Sequence, residues 1–270
     1  MKKNTPPIAL LTDFGQTDPF VGIMKGVIHG IHPGTDIIDL SHGIRPQDVF
    51  HGAFALWRSY AWFPRGTVFC AVVDPGVGTG RRPVAVKTRD YIFVGPDNGL
   101  IWAAADENGI EKAVCLENPA FFLDEISRTF HGRDIFAPVS AHLGRKSRID
   151  EMGPVIDDLN RLEFPLPEPG ENGLILTVLD KDIYGNLTLN ISARDFLEYT
   201  GRVFNLECKG VRITRFHATY AEAEENIPFI LDGSHGLLEV AVRNGSAAEL
   251  TGASPLDRFT LVSGKQKPCI

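Results

Sequence analysis

Cysteine is scarce and unpatterned: Cys70, Cys115, Cys208 and Cys269 are the four in 270 residues, and none forms a C-x-x-C pair. That spacing gives no zinc ribbon and no disulfide framework. Cys70 sits in the apolar run 68–73, where a small buried hydrophobe is expected. No apolar run approaches the length that spans a bilayer, and residues 1–7 hold no apolar stretch fit for export. A cytoplasmic protein with reduced thiols and no membrane contact is expected. Basic charge is also short, since 27 Lys and Arg against 34 Asp and Glu leave a formal net charge of −7. An acidic chain has no general affinity for phosphate backbones, so no nucleic-acid partner is expected. The chain has no P-loop, no dinucleotide-binding glycine fingerprint and no G-x-S-x-G nucleophile elbow.

What is present is an ordinary apolar content, 43% hydrophobic, enough for a sizeable core. Residues 8–11 read as a buried strand, 20–31 as a helix, and 36–40 as a second strand. Residues 47–63 carry Val49, Phe50, Phe54, Trp57 and Trp62 at helical spacing, and 67–73 form a continuous strand-like run. Strands at 83–87 and 91–94 and helices at 99–106 and 134–143 follow. This alternation predicts a layered α/β domain over residues 1–162 with a largely parallel sheet. Prolines and glycines at 163–173 cannot extend a helix and predict a linker. Beyond it, extended segments separated by Gly- and Asn-rich turns predict a smaller, mostly antiparallel β domain over 174–270.

In open α/β sheets, ligands bind beyond the carboxyl ends of the strands. Two of the expected strands deliver an acid there. One ends in Thr12-Asp13-Phe14-Gly15, with Asp18 close behind. The other runs into Asp74-Pro75-Gly76-Val77-Gly78-Thr79-Gly80-Arg81-Arg82, whose glycines let the backbone approach a ligand. Alone, Asp-Pro-Gly is better explained as a tight turn capped by Asp74. A third cluster, Thr129 to Asp134, offers Asp134 as a helix N-cap or first-turn acid. It places His131 just before that helix, where a neutral imidazole is a usable base or proton shuttle. His29, His32, His51 and His142 belong to helical patterns and need no special role, whereas His42 and His217 stay ambiguous. An Asp, Arg and His set is not a metal site, because Arg is not a ligand, and no metal or cofactor is expected. The residues by themselves reach an α/β enzyme with a polar crevice.

Longer strings carry the reading further. LTDFG at 11–15, PQDV at 46–49, GTVF at 66–69 and VDPGVGTGRR at 73–82 are followed by GPDNGL at 95–100 and FHGRDIF at 130–136. DIYGN at 182–186, SHGLLEVA at 234–241 and RNGSA at 243–247 complete the series. In this order they resemble the S-adenosylmethionine hydroxide adenosyltransferase family, which includes the fluorinase and chlorinase. The resemblance implies hydrolysis of S-adenosylmethionine to adenosine and L-methionine, with water or hydroxide attacking the ribose 5′ carbon in line. It implies Asp74, Arg81 and His131 around that water. The fluorinase carries Tyr at the position of Asp74 and Tyr-Ser at His131-Gly132, and has a long insertion where residues 87–90 stand here.

Substrate contacts are implied likewise. Asp13 matches an acid that holds both ribose hydroxyls, Asp182 and Ser234 match residues around the methionine amino and carboxylate groups, and Asn186 matches an adenine-side amide. Tyr220 stands where an aromatic ring covers adenine. His235 replaces an Arg and Gln47 a Trp of the fluorinase, while Asp18, Phe130 and Asn244 complete the implied binding set. The family's arrangement implies a homotrimer in which each pocket lies between the N-terminal domain of one subunit and the C-terminal domain of its neighbour. A halide-using adenosyltransferase, a non-catalytic binder of adenosine or S-adenosylmethionine, and a metal phosphoesterase built on Asp13, Asp74 and His131 remain as alternatives.

Overall fold

The structure is a computed structural model that describes residues 6–201 and 203–263; the first five residues and Cys269 lie outside them. The chain divides into two compact units, Met1–Glu163 and Phe164–Ile270.

The first unit contains β1 (Ile8–Thr12), α1 (Phe20–Ile31), β2 (Ile37–Ser41), α2 (Val49–Trp57), β3 (Val68–Val72), β4 (Pro83–Thr88) and β5 (Ile92–Pro96). It continues with α3 (Trp102–Glu107), β6 (Ile110–Cys115), α4 (Ala137–Gly144) and β7 (Val155–Ile156). The sheet order is β2-β1-β3-β5-β4-β6-β7. Successive side chains of a strand point to opposite faces. Accordingly Ile8 and Leu10 of β1 join Val68, Cys70 and Val72 of β3 in one core, packed with Met24, Ile28 and Val139. Ala9 and Leu11 join Phe69 and Ala71 in a second core on the other face, with Leu56, Ala104 and Ala105. A sheet covered on both sides needs strands apolar throughout, which is why 68–72 reads as an unbroken apolar run. Burial pushes the Cys70 thiol up to about 12, so it behaves as a hydrophobe.

The sheet is mixed rather than largely parallel. β2, β1, β3 and β5 run parallel, whereas β4, β6 and β7 pair antiparallel. Only three residues separate β4 from β5, far fewer than a parallel crossover needs. The helix expected over 47–63 is shorter. Gln47 has φ +64°, outside the helical region, so α2 begins after Asp48, whose side chain accepts the His51 amide at 2.9 Å. α2 ends at Trp57 and a 3₁₀ turn spans Tyr60–Trp62, leaving Trp62 82% exposed instead of in the core. The helix expected at 134 opens as a π turn, Gly132–Phe136, that runs into α4. Asp134 is therefore not the N-cap but the acid of the first turn, buried and accepting from Arg133 Nε at 2.5 Å and from the Ser127 amide at 2.7 Å.

The second unit is built on β8 (Glu168–Gly170), β9 (Gly173–Lys181), β10 (Leu187–Ser192), α5 (Ala193–Thr200), β11 (Phe204–Cys208) and β12 (Val211–Ile213). β13 (Pro228–Asp232), β14 (Leu237–Val242), α6 (Ala247–Thr251) and β15 (Arg258–Ser263) complete it. Its sheet is antiparallel, in the order β12-β11-β15-β9-β10-β14-β13, with β8 paired to β9. The Pro- and Gly-rich stretch thus contributes a short strand to this unit. Both helices are capped by serine: Ser192 accepts the Asp195 amide at 3.0 Å and Ser246 the Glu249 amide at 3.1 Å.

Phe69 and Phe93 stack across the second core of the first unit, with centroids 5.1 Å apart and planes 13° from parallel. Phe69→Ala is expected to cost the first unit about 3–5 kcal/mol, read as an earlier urea transition with unchanged far-ultraviolet circular dichroism before unfolding.

Candidate active site

β1 and β3 lie side by side and parallel, with Thr12 opposite Val72, so their carboxyl ends bring Asp13 and Asp74 to one edge of the sheet. A cleft of about 370 Å³ opens there, lined among others by Asp13, Gln47, Asp74, Phe130 and His131. Its apolar wall is a cluster of three rings: Phe20 lies 5.2 Å from Phe130, and Phe14 lies 5.7 Å from Phe20 and 5.8 Å from Phe130. Asp18 is exposed and does not line the cleft.

The loop after Asp74 folds back through Gly78 at φ +75°, where a Cβ would collide with the Arg128 carbonyl oxygen. This return sets Arg81 behind Asp74. Arg81 Nε donates to Asp74 Oδ1 at 3.0 Å, and Nη2 donates to Oδ2, giving a bidentate pair. The same Nη2 lies 3.1 Å from His131 Nδ1. A guanidinium only donates, so Nδ1 accepts and the imidazole is the neutral form with its hydrogen on Nε2. Burial, and next the Arg81 charge, hold the His131 pKa below its ordinary 6.5, against the opposing pull of Asp74 and Asp134. The Arg81 and Asp74 side chains are only 7% and 6% exposed. Arg81 also covers the Phe136 ring at 5.3 Å, and its Nη1 is buried without a protein partner. Arg82 turns the other way, donating to Asp97 at 3.0 and 2.5 Å and to Asp158 at 2.7 Å, which anchors the far end of the loop. Asp13 Oδ2 accepts the Gln47 amide at 2.8 Å.

The second unit has its own cavity, about 880 Å³, lined by Asp182, Asn186, Tyr220, Ser234 and Asn244 among others. Asp182 Oδ1 accepts the Tyr184 and Asn186 amides at 2.9 and 2.8 Å, and Oδ2 accepts Asn186 Nδ2 at 2.9 Å. Asn244 adopts φ +56° and donates to Glu225 at 2.8 Å. His235 does not line this cavity; its Nε2 lies 3.5 Å from the Thr188 hydroxyl. Two charged lining residues were not anticipated. Glu239, 9% exposed, accepts from the Tyr220 hydroxyl, and burial together with this acid pushes the Tyr220 pKa up. Arg243 donates to the Ala223 carbonyl at 3.1 Å beside it. A charged residue in the otherwise apolar strand Leu237–Val242 was the available signal for Glu239. Among the described residues, no group of three or more His, Cys, Asp or Glu is placed to hold a metal ion, and no helix is long and apolar enough to cross a membrane.

Residues 8–153 match the SAM hydroxide adenosyltransferase N-terminal domain, and residues 176–260 match the corresponding C-terminal domain. The chain belongs to the SAM hydroxide adenosyltransferase family. It is 39% identical to a protein of Salinispora tropica named (R)-S-adenosyl-L-methionine hydrolase, over 96% of this chain and 99% of that one. Similarity to a protein of Actinoplanes sp. named fluorinase is lower, 31% identity over 73% of this chain and 74% of that one. Among solved structures, an uncharacterized conserved protein from Thermotoga maritima superposes with a TM-score of 0.88 at 32% identity, covering 94% of this chain and 99% of that one. Each of the two family domains contains one of the two cavities.

Because Arg81 is a cation beside His131, its removal raises the histidine pKa while Asp74 still favours the imidazolium. In a nuclear magnetic resonance titration, His131 is expected to titrate below 6.5 in the native protein and at higher pH in Arg81→Gln. An unchanged midpoint would separate the two groups electrostatically.

Proposed function

We propose that this protein hydrolyses S-adenosylmethionine to adenosine and L-methionine, with Asp74, Arg81 and His131 governing the attacking water. The observation that carries the reading is that Asp74 and His131 line the first unit's cleft while Arg81 is bonded to both. Family membership and the similarity to proteins named (R)-S-adenosyl-L-methionine hydrolase support it. Water oxygen forms a bond to the ribose 5′ carbon as the carbon–sulfur bond breaks, its electron pair moving to sulfur to leave neutral methionine thioether. The water loses one proton to the Asp74 carboxylate, because the acceptor nitrogen of His131 is engaged by Arg81. Sulfonium sulfur is a good leaving group, so catalysis reduces to holding water in line and excluding competing solvent. Asp74 and His131 face the cleft and orient that water, while Arg81 fixes both from behind. A carboxylate at this position also repels a bound halide, which favours water over chloride or fluoride. No metal or cofactor is required by this chemistry, and a reducing cytoplasm suits the three unpaired, buried cysteines Cys70, Cys115 and Cys208.

Asp13 has acceptor capacity for the ribose hydroxyls. The second unit's Asp182, Asn186, Tyr220 and Ser234 would take the adenine and methionine ends. In this reading the protein is a homotrimer, and the second unit of a neighbouring chain completes each site.

Three experiments test this. Incubation with S-adenosylmethionine in oxygen-18 water, without halide and with a metal chelator, is expected to give adenosine labelled at its 5′ oxygen and free methionine. Unlabelled adenosine, or turnover only with added metal or chloride, would overturn the mechanism. Asp74→Ala and His131→Ala are each expected to lower kcat by ~10²–10⁴-fold while sparing adenosine affinity. Inactive Asp74→Ala and Asp182→Ala chains, unfolded and refolded together, are expected to regain part of the activity because mixed trimers hold some intact sites. A mixture that stays inactive would argue for sites formed within one chain.

A further inference from the structure

Asp13 lies just past the end of β1, which pairs regularly with β3 through Thr12 while its register with β2 shifts between Leu10 and Leu11, so on the β2 side the ladder does not fix the turn that follows. Side chains take over. His42, just past β2 and 3% exposed, places Nδ1 2.8 Å from the Oγ1 of fully buried Thr12. Thr12 Oγ1 already accepts the Phe14 amide at 3.2 Å, so its own hydrogen is free for His42 Nδ1. With Thr12 donating, the ring hydrogen sits on Nε2, the nitrogen that lies 3.0 Å from Asp39 Oδ1, an ion-pair distance rather than a well-aligned hydrogen bond. The other Asp39 oxygen accepts from Lys25 Nζ of α1 at 2.6 Å. The His42 carbonyl in turn accepts the Gly15 amide at 2.9 Å. Residues 12, 14 and 15 are thereby held on both sides of Asp13, and none of Thr12, His42 or Asp39 lines the cleft.

We infer that Thr12, His42 and Asp39 are positioning residues that aim the Asp13 carboxylate at a vicinal diol. This rests on the reading of Asp13 as the ribose acceptor. The Thr12–His42 hydrogen bond carries the aim, and Asp39 keeps the imidazole in the tautomer that accepts from Thr12. The arrangement has the order carboxylate, imidazole, hydroxyl, yet its hydroxyl is buried and already engaged, so it serves geometry rather than nucleophilic attack.

Calorimetric titration of the full-length protein with adenosine and with 2′-deoxyadenosine tests the idea, because only a correctly aimed Asp13 profits from both hydroxyls. The ratio of the two dissociation constants is expected to fall about tenfold in Thr12→Val and in His42→Gln, whose amide reaches toward Asp39 but not Thr12. Thr12→Ser, which restores the hydroxyl, is expected to recover most of that ratio. His42→Asn, whose amide can still meet Thr12, is expected to lose less than His42→Gln. Thermal melting run in parallel identifies a variant that fails to fold, and near-isosteric Thr12→Val provides the readout if the His42 variants do. A Thr12→Val protein that keeps the native ratio while Asp13→Asn loses it would overturn the positioning role and leave the ribose reading intact. An Asp13→Asn protein that keeps the native ratio would overturn the ribose reading and this proposal with it.

Discussion

A carboxylate and a guanidinium, both almost withdrawn from water, meet at the end of β3, and the first unit is arranged around keeping them together. Either charge alone in that place would be costly, and breaking such a pair costs far more than an exposed ion pair ever returns. Two neighbouring features absorb the demand. The loop closes tightly enough for Arg81 to reach back only because Gly78 lets it pass the Arg128 carbonyl. The next residue, Arg82, is tied to Asp97 and Asp158, so the loop cannot relax outward. His131 comes just ahead of the π turn that leads into α4, and burial first and the neighbouring Arg81 cation second keep it neutral.

The two units handle polar groups differently. In the first, the reactive acids stand at strand ends above two apolar layers, and their hydrogen bonds run to groups behind the cleft. In the second, Asp182, Asn186, Tyr220 and Glu239 are bonded to one another or to nearby amides around the cavity. A mutually satisfied set of this sort presents fixed donors and acceptors at little reorganisation cost.

Much of this was legible in the chain. β1, α1 and β3 stand out because burial on both sheet faces demands unbroken apolar runs, and α1 repeats its buried Val21, Met24 and Ile28 at helical spacing. The acids of the cleft follow directly, since Asp13 and Asp74 end such strands. β6 was hidden by Glu111 and Lys112, which sit on its surface and break the apolar pattern. α5 and α6 were missed although Ser192-x-x-Asp195 and Ser246-x-x-Glu249 are capping signatures; α6 is too short to show a period, whereas α5 buries Ala193, Phe196 and Thr200 at helical spacing and was readable. The antiparallel half of the first sheet follows from one short turn whose consequence is topological. Glu239 stood out only as a charge in an apolar strand, and the roles of Glu239 and His42 were hidden for a different reason. What makes each of them matter is a partner 19 or 30 residues away, and no local pattern encodes that meeting.

Gln47 shows how such a scaffold can vary. Its backbone takes a left-handed turn and its amide, not its side chain, holds Asp13. The hydrogen bond on which the acid relies is therefore indifferent to what residue 47 carries outward. The side chain at that place, which lines the cleft, is free to change shape without disturbing the acid beneath it, and the resembling fluorinase has Trp there. A lineage, or an engineer, could thus reshape the wall of the pocket one residue at a time while its anchoring chemistry stays put, provided the newcomer tolerates the left-handed turn. Variation in ligand preference would then come cheaply at this position and dearly at its neighbours.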